Sequence, residues 1–251
     1  MFRNEKNLGL PRSLNNLISK ARGKYIARMD GDDVSLPQRF EKQVQVMESN
    51  INVSILGTLA YKMKENGIVY GVLNLPTNQK CIKSYIENGI MPTCHPSWMV
   101  RAEVYKMLKG YREIPYAEDF DFILRAYKNG YEITNLSEPL LKYRIHSHKQ
   151  KISHSKAFNQ YLNAKYSYLQ FKHGEFSVST CNDSFLTIHL RKFRERLYNI
   201  ANNFFTKSMD YKSQRKVFLG LLLFLLSFIS PDRAEFNVRL LRAKFFCKLK
   251  H

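Results

Sequence analysis

The sequence has little that supports a disulfide scaffold, a structural zinc site or a membrane span. Its four cysteines are scattered and no two form a CxxC pair; they are Cys81, Cys94, Cys181 and Cys247. This spacing indicates reduced thiols of a cytosolic protein. The mean hydropathy is −0.38, and a membrane-spanning helix needs about 20 apolar residues, more than the uncharged segment 217–230 provides. The first residues lack the apolar core of a secretory signal, so none is expected.

Acidic residues are also scarce. The chain has 21 Asp and Glu residues and 40 Lys and Arg residues, so its formal net charge is +19. The imbalance lies in residues 140–251, which contain 21 of the basic residues and six of the acidic ones. A basic half of this kind predicts an anionic partner: lipid head groups, nucleic acid or a phosphorylated substrate. The alternative is a basic surface that serves solubility alone. Hydrophobic and charged fractions of 44% and 24% exclude a disordered chain.

Helix and strand patterns alternate along the first 150 residues, which predicts a layered α/β core with a mostly parallel sheet. The Asn66-Gly67 pair predicts a hairpin between two of the strands. Apolar spacing, β-branched runs and turn signals predict helices near 11–22, 37–48, 79–88, 103–108 and 118–128, and strands near 25–29, 51–61, 68–72, 97–100, 133 and 140–145.

The second of these helices has a clear start and a clear apolar face. Ser35 and Gln38 have the spacing of a capping box, and Pro37 suits the first turn. Phe40, Val44 and Met47 then recur at helical spacing. We therefore expect this helix to pack on the sheet through positions 40, 44 and 47.

After about residue 150 aromatic and basic residues interleave and few strand signals are left. Residues 190–209 and 234–250 have the pattern of basic amphipathic helices. Between them, residues 217–230 carry no charge and are flanked by basic residues. Two interpretations of this segment stay open: a helix lying in the interface of an anionic membrane, or a buried helix of a helical subdomain.

An acidic turn, Asp30-Gly31-Asp32-Asp33, directly follows the predicted strand at 25–29. Three carboxylates within four residues repel one another unless a cation or hydrogen-bond donors compensate. Carboxylate oxygens suit Mg²⁺ or Mn²⁺, which commonly bind substrate phosphates as well, and α/β sheets place ligands at the carboxyl ends of strands. The alternative is an ordinary turn, since Asp and Gly both favour turns.

Two further groups of polar residues are candidates for a site. Glu118 and Asp119 begin a predicted helix, with Asp121 nearby; one of them can serve as a general base, although acidic residues at a helix start also complement its dipole. Arg144 and His146 share a face of the last strand, His148 follows, and these side chains either bind phosphate or lie in solvent. His95 is a weaker candidate, because it can be a hydrogen-bonded core residue.

The order of these segments resembles that of the family 2 inverting glycosyltransferases. The resemblance covers roughly residues 3–148. It is carried by the succession of loose motifs: Asn7-Leu8-Gly9, residues 21–33 (ARGKYIARMDGDD), residues 37–43 (PQRFEKQ), residues 117–121 (AEDFD) with Arg125 and Gly130, and Tyr143-Arg144-x-His146.

The resemblance implies a glycosyltransferase A fold, in which helices flank a Rossmann-like mixed sheet, and an enzyme that acts on a nucleotide-activated sugar. Asp30 and Asp32 would form the DxD pair that binds Mg²⁺ or Mn²⁺, with Asp32 the more direct metal ligand and Asp30 contacting the metal or the nucleotide sugar. Asp119 would be the general base, with Glu118 as its acidic partner. In the donor site, the residues implied near the diphosphate are Arg144 and His146, and those implied to line the nucleotide pocket are Asn7 and Gly9.

The chain departs from the family pattern at its start. Strands that bind the base and ribose normally precede the Asn-x-Gly motif, and here residue 7 is already within that motif. We therefore expect a truncated sheet, as in a fragment, a chain with a misplaced start or a remnant. Residues 1–150 are predicted to form the catalytic core and residues 151–251 a basic helical segment that associates with membranes.

The resemblance implies transfer of a sugar from a nucleotide-sugar donor to a hydroxyl of a lipid-linked saccharide acceptor, with inversion. The expected setting is bacterial surface polysaccharide or lipopolysaccharide biosynthesis, at the cytoplasmic face of the membrane. Two alternatives stay open, a basic module that binds nucleic acid or membranes and a non-catalytic remnant. Nucleic acid is the less expected partner, because the acidic turn would repel its phosphates unless a metal intervened.

Overall fold

The computed structural model describes residues 2–146, 157–174, 176, 185–213 and 216–248. The strands are β1 (Tyr25–Ala27), β2 (Val34–Ser35), β3 (Val53–Lys64), β4 (Val69–Leu73), β5 (Met99–Arg101) and β6 (Glu132–Ile145). The helices are α1 (Leu10–Ile18), α2 (Arg39–Ser49), α3 (Gln79–Glu87), α4 (Ala102–Met107), α5 (Glu118–Lys128), α6 (Ala157–His173), α7 (Phe185–Ser213), α8 (Val217–Leu226) and α9 (Pro231–Lys248), with a 3-10 turn at His95–Ser97. The helices and strands predicted from the sequence are present with shifted ends, and β2 and α6 are additional.

One mixed sheet contains all six strands in the order β1-β5-β3-β6-β2, with β4 paired to the second half of β3. Only β3 and β6 are parallel among these described pairs, and the other neighbours are antiparallel. The α/β prediction with a mixed sheet and flanking helices is confirmed, but the mostly parallel arrangement inferred from the alternation of helices and strands is wrong. β4 is antiparallel to β3 because it returns through the short Asn66-Gly67 turn, whereas a parallel neighbour needs a long crossover.

The predicted closing strands at 133 and 140–145 are one strand, β6. Thr58 of β3 pairs with Leu136 of β6, but the next residue, Leu59, pairs with Pro139, so the register shifts between these two pairs. Residues 137 and 138 are therefore an insertion in the ladder. This bulge interrupts the apolar pattern and explains why the sequence suggested two strands.

The face of α2 that packs on the sheet differs from the predicted one. Phe40 and Val44 are exposed, whereas Arg39 and Gln43 are fully buried beside Met47. Residues 39, 43 and 47 recur at helical spacing just as residues 40, 44 and 47 do. The prediction chose the second set because its members are apolar, but the structure buries the first set. The prediction of Phe40 and Val44 as core residues is wrong.

Arg39 and Gln43 are buried because they bind backbone carbonyls that would otherwise lack partners. Arg39 donates from Nη2 to Arg28 O at 2.6 Å and from Nη1 to Pro96 O at 3.3 Å. Gln43 Nε2 donates to Ser97 O at 2.9 Å. These bonds fix the end of β1 and the 3-10 turn against α2, since a buried polar group without a partner is costly.

The start of α2 also differs from the prediction. Ser35 lies in β2, where it pairs with Leu141 of β6. The helix begins at Arg39, and Gln38 at its N-cap makes no side-chain capping bond. The predicted capping box is wrong, because pairing with β6 draws Ser35 into the sheet.

The two faces of the sheet carry separate apolar cores. Ile55 and Val100 belong to the larger core, together with Phe122 of α5. Leu56 and Met99 belong to the smaller core, beside Met47 of α2. Successive residues of a strand point to opposite faces, so β3 and β5 anchor a helix layer on each side.

The carboxy-terminal helices pack against helices of the core. Ser84 Oγ of α3 donates to Ala243 O of α9 at 3.1 Å, and Tyr168 OH of α6 donates to Glu87 O of α3 at 2.7 Å. The helices predicted at 190–209 and 234–250 correspond to α7 and α9. The predicted boundary at residue 150, and His148, lie outside the described residues, so the division into two domains stays a prediction.

Helix α8 and the 3-10 turn after it occupy the uncharged segment 217–230. Phe218 is 83% exposed and Leu221 and Leu225 are also exposed, whereas Gly220 and Ser227 are buried. The segment is thus packed along one side only, and the interpretation as a wholly buried helix is wrong. Within the described residues no helix combines the length and the apolar character needed to cross a bilayer.

Replacing Gly57 by alanine tests the close packing at the centre of β3. A Cβ at Gly57 would lie 2.1 Å from Thr93 Oγ1 and 2.3 Å from Asn135 Oδ1. Gly57→Ala should lower the free energy of unfolding in urea by about 1–3 kcal/mol, because these side chains must shift. Gly71→Ala in β4 is the matched control, since its Cβ would meet nothing within 4 Å. Equal stability of the two variants would contradict this packing.

Candidate functional site

The acidic turn after β1 presents two carboxylates to solvent and buries the third. Asp30 accepts a hydrogen bond from Arg28 Nη2 at 2.7 Å. Asp32 Oδ2 lies 2.5 Å from His146 Nε2, and this hydrogen bond lowers the pKa of Asp32. Asp33 is buried, and its Oδ2 has no hydrogen-bond partner. Burial raises the pKa of Asp33 to about 6.

The end of β6 holds this turn in place. Asp33 Oδ1 accepts from the backbone N–H of Arg144 at 2.8 Å. The Arg144 guanidinium donates from Nε to Asp32 O at 2.7 Å and from Nη1 to Glu65 O at 2.7 Å. The structure therefore brings Arg144 and His146 to the acidic turn, and Arg144 holds the backbone of that turn. The role of both residues near a diphosphate stays a prediction.

Glu118 and Asp119 begin α5 at the same site. Glu118 is buried, and burial, together with the charge of Asp119, raises its pKa to about 7. The Asp119 side chain is 28% exposed, and burial likewise raises its pKa. Asp121 is fully buried between Arg112 and Arg125, so it anchors the helix and does not face the site. Of these three acidic residues, Asp119 is the one whose side chain is not buried.

His95 of the 3-10 turn lies behind Asp119. Its Nδ1 is 3.8 Å from Asp119 Oδ2, and its Nε2 is 2.8 Å from Tyr111 OH, which in turn is 3.0 Å from Tyr105 OH. Burial lowers the pKa of His95 well below its usual value, so the ring is neutral. A Tyr111 hydroxyl that donates to Nε2 leaves the proton on Nδ1, directed at Asp119. His95 is thus both a core residue and a neighbour of the predicted base.

Arg28 joins the acidic turn to the start of α5. Its side chain is buried, and its Nε and Nη1 have no hydrogen-bond partner. Its charge lowers the pKa values of Glu118 and Asp119, against the raising effects of burial and of Asp30. The two acidic groups therefore lie within electrostatic reach of each other around one buried cation. Sequence reasoning missed Arg28 as a site residue; its place two residues before Asp30 was the available signal.

The donor set fits a divalent cation that is shared with a substrate. In the described part of the chain, no three His, Cys, Asp or Glu side chains are grouped so that they alone could hold a metal. Asp30 and Asp32 nevertheless offer carboxylates at the surface of one turn, and Mg²⁺ is commonly bound by one or two carboxylates plus substrate phosphates. The neighbouring Asp33 has a buried Oδ2 without a hydrogen-bond partner.

Asn7 and Gly9 make local hydrogen bonds at the start of α1. Asn7 Oδ1 accepts from Gly9 N at 2.9 Å, and Gly9 O accepts from the Ser13 hydroxyl at 2.7 Å. Gly9 has a φ of 77°, which favours glycine. These bonds shape the loop that enters α1, and the role of both residues in a nucleotide pocket stays a prediction.

Comparison with known proteins shows that the chain is similar to glycosyltransferases. The family described as "Glycosyl transferase family 2" matches residues 1–108. An uncharacterized glycosyltransferase of Methanocaldococcus jannaschii is 37% identical over 185 residues, which cover 72% of this chain and 61% of the relative. The O-antigen biosynthesis glycosyltransferase WbnJ of Escherichia coli is 37% identical over 165 residues, 63% of this chain and 61% of the relative.

A more distant relative is named for its substrates. The UDP-Gal:alpha-D-GlcNAc-diphosphoundecaprenol beta-1,3-galactosyltransferase of Escherichia coli is 25% identical over 205 residues, 78% of this chain and 73% of the relative. The chain spans about half to three fifths of the length of the more similar curated relatives that it matches. These matches lead to one conclusion about the part of the chain that the family model covers: residues 1–108 form a domain of glycosyltransferase family 2.

Proposed function

We propose that this protein transfers a sugar from a nucleoside diphosphate sugar to a hydroxyl of a saccharide acceptor, with inversion at the anomeric carbon. The observation that carries the proposal is the meeting of the acidic turn and Asp119 around buried Arg28. A surface turn with two carboxylates suits a metal-bound diphosphate, and a partly exposed carboxylate with a raised pKa suits a general base. Family membership supports a transferase of this kind.

The donor would lie over the acidic turn. Asp32 and Asp30 would hold Mg²⁺ or Mn²⁺ together with diphosphate oxygens, and His146 lies beside Asp32 where it can donate to phosphate. When bound, the cation neutralises negative charge on the departing nucleoside diphosphate. Arg144 keeps the turn in this conformation through its bonds to Asp32 O and Glu65 O.

Asp119 would remove the proton from the acceptor hydroxyl. As the acceptor oxygen forms its bond to the anomeric carbon, the bond from that carbon to the diphosphate oxygen breaks, and one displacement inverts the configuration. The backbone N–H of Phe120 donates to Asp119 Oδ1 at 2.7 Å and so orients the carboxylate, and the neutral His95 packs behind it at 3.8 Å. Buried Glu118 is its acidic neighbour. A covalent enzyme intermediate is not needed, since a single carboxylate and an acceptor hydroxyl suffice.

We propose a lipid-linked saccharide as the acceptor, in the assembly of a bacterial surface polysaccharide or lipopolysaccharide. The names of two relatives support this, one from O-antigen biosynthesis and one that acts on a diphosphoundecaprenol-linked sugar. An acceptor of that kind resides in the cytoplasmic membrane, so the enzyme would work at its inner face.

Helix α8 would hold the protein on this membrane. Its exposed residues include Phe218 and Leu225, and the neighbouring helices carry exposed Lys207 and Arg242. A short apolar helix with basic residues beside it favours the interface of an anionic bilayer, where apolar side chains enter the acyl boundary and cations meet head groups.

The alternatives are a nucleic-acid-binding module and a non-catalytic remnant. The grouping of Asp30, Glu118 and Asp119 disfavours nucleic acid as the ligand of this site, because carboxylates repel a phosphate backbone. A remnant would keep the fold without the activity, so the effect of Asp119 on turnover distinguishes it from an enzyme.

Asp119→Asn should lower the rate of sugar transfer by about 10²–10⁴-fold while the Kd for the nucleoside diphosphate changes little, because the base is lost and the donor turn is intact. As the pH is lowered, the wild-type rate should begin to fall at a higher pH than it would if the base were an aspartate with its ordinary pKa. Burial raises the pKa of Asp119, and only the ionised carboxylate accepts a proton. Radiolabelled sugar transfer measures both effects.

The control for this variant is Glu103→Gln, which removes an exposed carboxylate from α4. It should leave the rate within about twofold, as expected of an exposed surface substitution. Equal rates for Asp119→Asn and Glu103→Gln would contradict the assignment of the base.

Asp32→Asn should weaken the binding of Mn²⁺ in the presence of UDP by at least about tenfold, because a charged ligand is removed. Isothermal titration calorimetry measures this without any turnover. Glu41→Gln, an exposed carboxylate on α2, should bind Mn²⁺ like the wild type. Unchanged Mn²⁺ affinity of Asp32→Asn would show that the metal, if bound, lies elsewhere.

The double variant Phe218→Ser, Leu225→Ser should reduce co-sedimentation with phosphatidylglycerol vesicles by at least about tenfold, because it removes two apolar side chains from the proposed contact. Ile51→Ser is the control, since Ile51 is 81% exposed but lies in the catalytic part of the chain. Binding that does not distinguish phosphatidylglycerol from phosphatidylcholine, or that the double variant leaves unchanged, would refute membrane attachment through α8.

A further inference from the structure

A cavity of about 460 Å³ lies between the start of α5 and the carboxy-terminal helices. Asp119 contributes to its wall from the core, and Tyr161, Tyr198, Arg233 and Arg239 contribute from α6, α7 and α9. The volume is within the range of small-molecule sites, about 300–1,000 Å³. The proposed base therefore opens into a space that is formed largely by the second half of the chain.

Arg233 is a buried cation with unused hydrogen-bonding capacity in this cavity. It is 5% exposed and interacts with the Tyr198 hydroxyl, but its Nε has no hydrogen-bond partner. Its guanidinium lies 3.9 Å from the centre of the Phe205 ring and 4.5 Å from that of Phe236. The adjacent Asp232 is paired with Arg194 at 2.7 Å, so it does not neutralise Arg233.

Arg239 brings a second guanidinium to the same wall. A Cβ at Gly89 would lie 2.3 Å from its Nη1, so the arginine packs directly on the Gly89 backbone. Its Nε makes no hydrogen bond and is 3.8 Å from Glu235 Oε1. Glu235 also accepts from Lys165 at 2.5 Å, which leaves the carboxylate shared between two cations. The cavity thus has an excess of positive charge.

Much of the remaining wall is aromatic, and Gln160, Asn202 and Thr206 add polar groups to it. Tyr161 and Tyr198 lie with ring centres 5.0 Å apart, and Phe236 also lines the cavity. Apolar aromatic surfaces with a few placed polar groups are typical of sites for small organic ligands. The two guanidiniums, each with an Nε that makes no hydrogen bond, can bind phosphate oxygens, which suit the planar fork of arginine.

From these observations, and resting on the proposed function, we propose that the cavity is the acceptor site and takes a saccharide that carries a phosphate or diphosphate. The sugar ring would lie against Tyr161 and Tyr198, with its phosphate at Arg233 and Arg239. In that orientation a ring hydroxyl can reach Asp119. The carboxy-terminal helices would then select the acceptor by its negative charge.

Calorimetric titration of the full chain, without a donor, tests this proposal. Glucose 1-phosphate should bind at least about tenfold more tightly than methyl α-glucoside or inorganic phosphate, because it alone satisfies both the aromatic wall and the arginines. UDP should not displace it, since the donor lies over the acidic turn. A prenyl diphosphate-linked glucose that binds more tightly than glucose 1-phosphate would identify a lipid-linked source, and equal binding a soluble one.

Arg233→Gln and, separately, Arg239→Gln should each weaken binding of glucose 1-phosphate by about tenfold or more, whereas Arg242→Gln, an exposed arginine on α9, should not. Circular dichroism of each variant shows whether it folds, and Arg233→Lys should restore part of the affinity. Equal binding of inorganic phosphate, displacement by UDP, or unchanged affinity in both folded variants would overturn the proposal. Because no sugar is transferred, these results do not depend on the transferase activity itself.

Discussion

The buried guanidinium of Arg28 is the constraint on which the site depends. The end of β1 places it among Asp30, Glu118 and Asp119, and Arg39 of α2 fixes its backbone through a 2.6 Å hydrogen bond to Arg28 O. Without this cation, three carboxylates from two distant segments would repel one another at the edge of the sheet. Its unpartnered Nε and Nη1 show that the charge is not fully used within the chain. The charge of Arg28 acts on both the acidic turn and the start of α5, through its ion pair with Asp30 and its effect on the pKa values of Glu118 and Asp119.

The two halves of the chain contribute different parts of the proposed site. The sheet and its flanking helices position the acidic turn and Asp119, whereas α6, α7 and α9 close a cavity on the other side of that carboxylate. The strong basicity of the second half then has two distinct parts: the buried Arg233 and the half-buried Arg239 at the cavity, and exposed lysines and arginines near α8. Only the exposed group resembles an ordinary solvated surface.

Local patterns predicted much of the fold and part of the site. The bounds of α5 follow from its acidic first turn and its Asn129-Gly130 end, and the hairpin follows from Asn66-Gly67. The same patterns failed where distant segments decide the outcome. The buried face of α2 is set by carbonyls of Arg28 and Ser97 that need donors, and a helix-only pattern cannot reveal these. Strand direction likewise depends on pairing, which alternation of helices and strands leaves undetermined.

The meeting of the acidic turn and Asp119 is the central claim, and anomalous diffraction tests it most directly. Crystals of the full chain grown with Mn²⁺ and a nucleoside diphosphate would be measured at the manganese edge. The account predicts one Mn²⁺ peak bound by Asp30, Asp32 and diphosphate oxygens, in a space that the Asp119 carboxylate also lines. A peak away from the turn, or a diphosphate separated from Asp119 by protein, would contradict it.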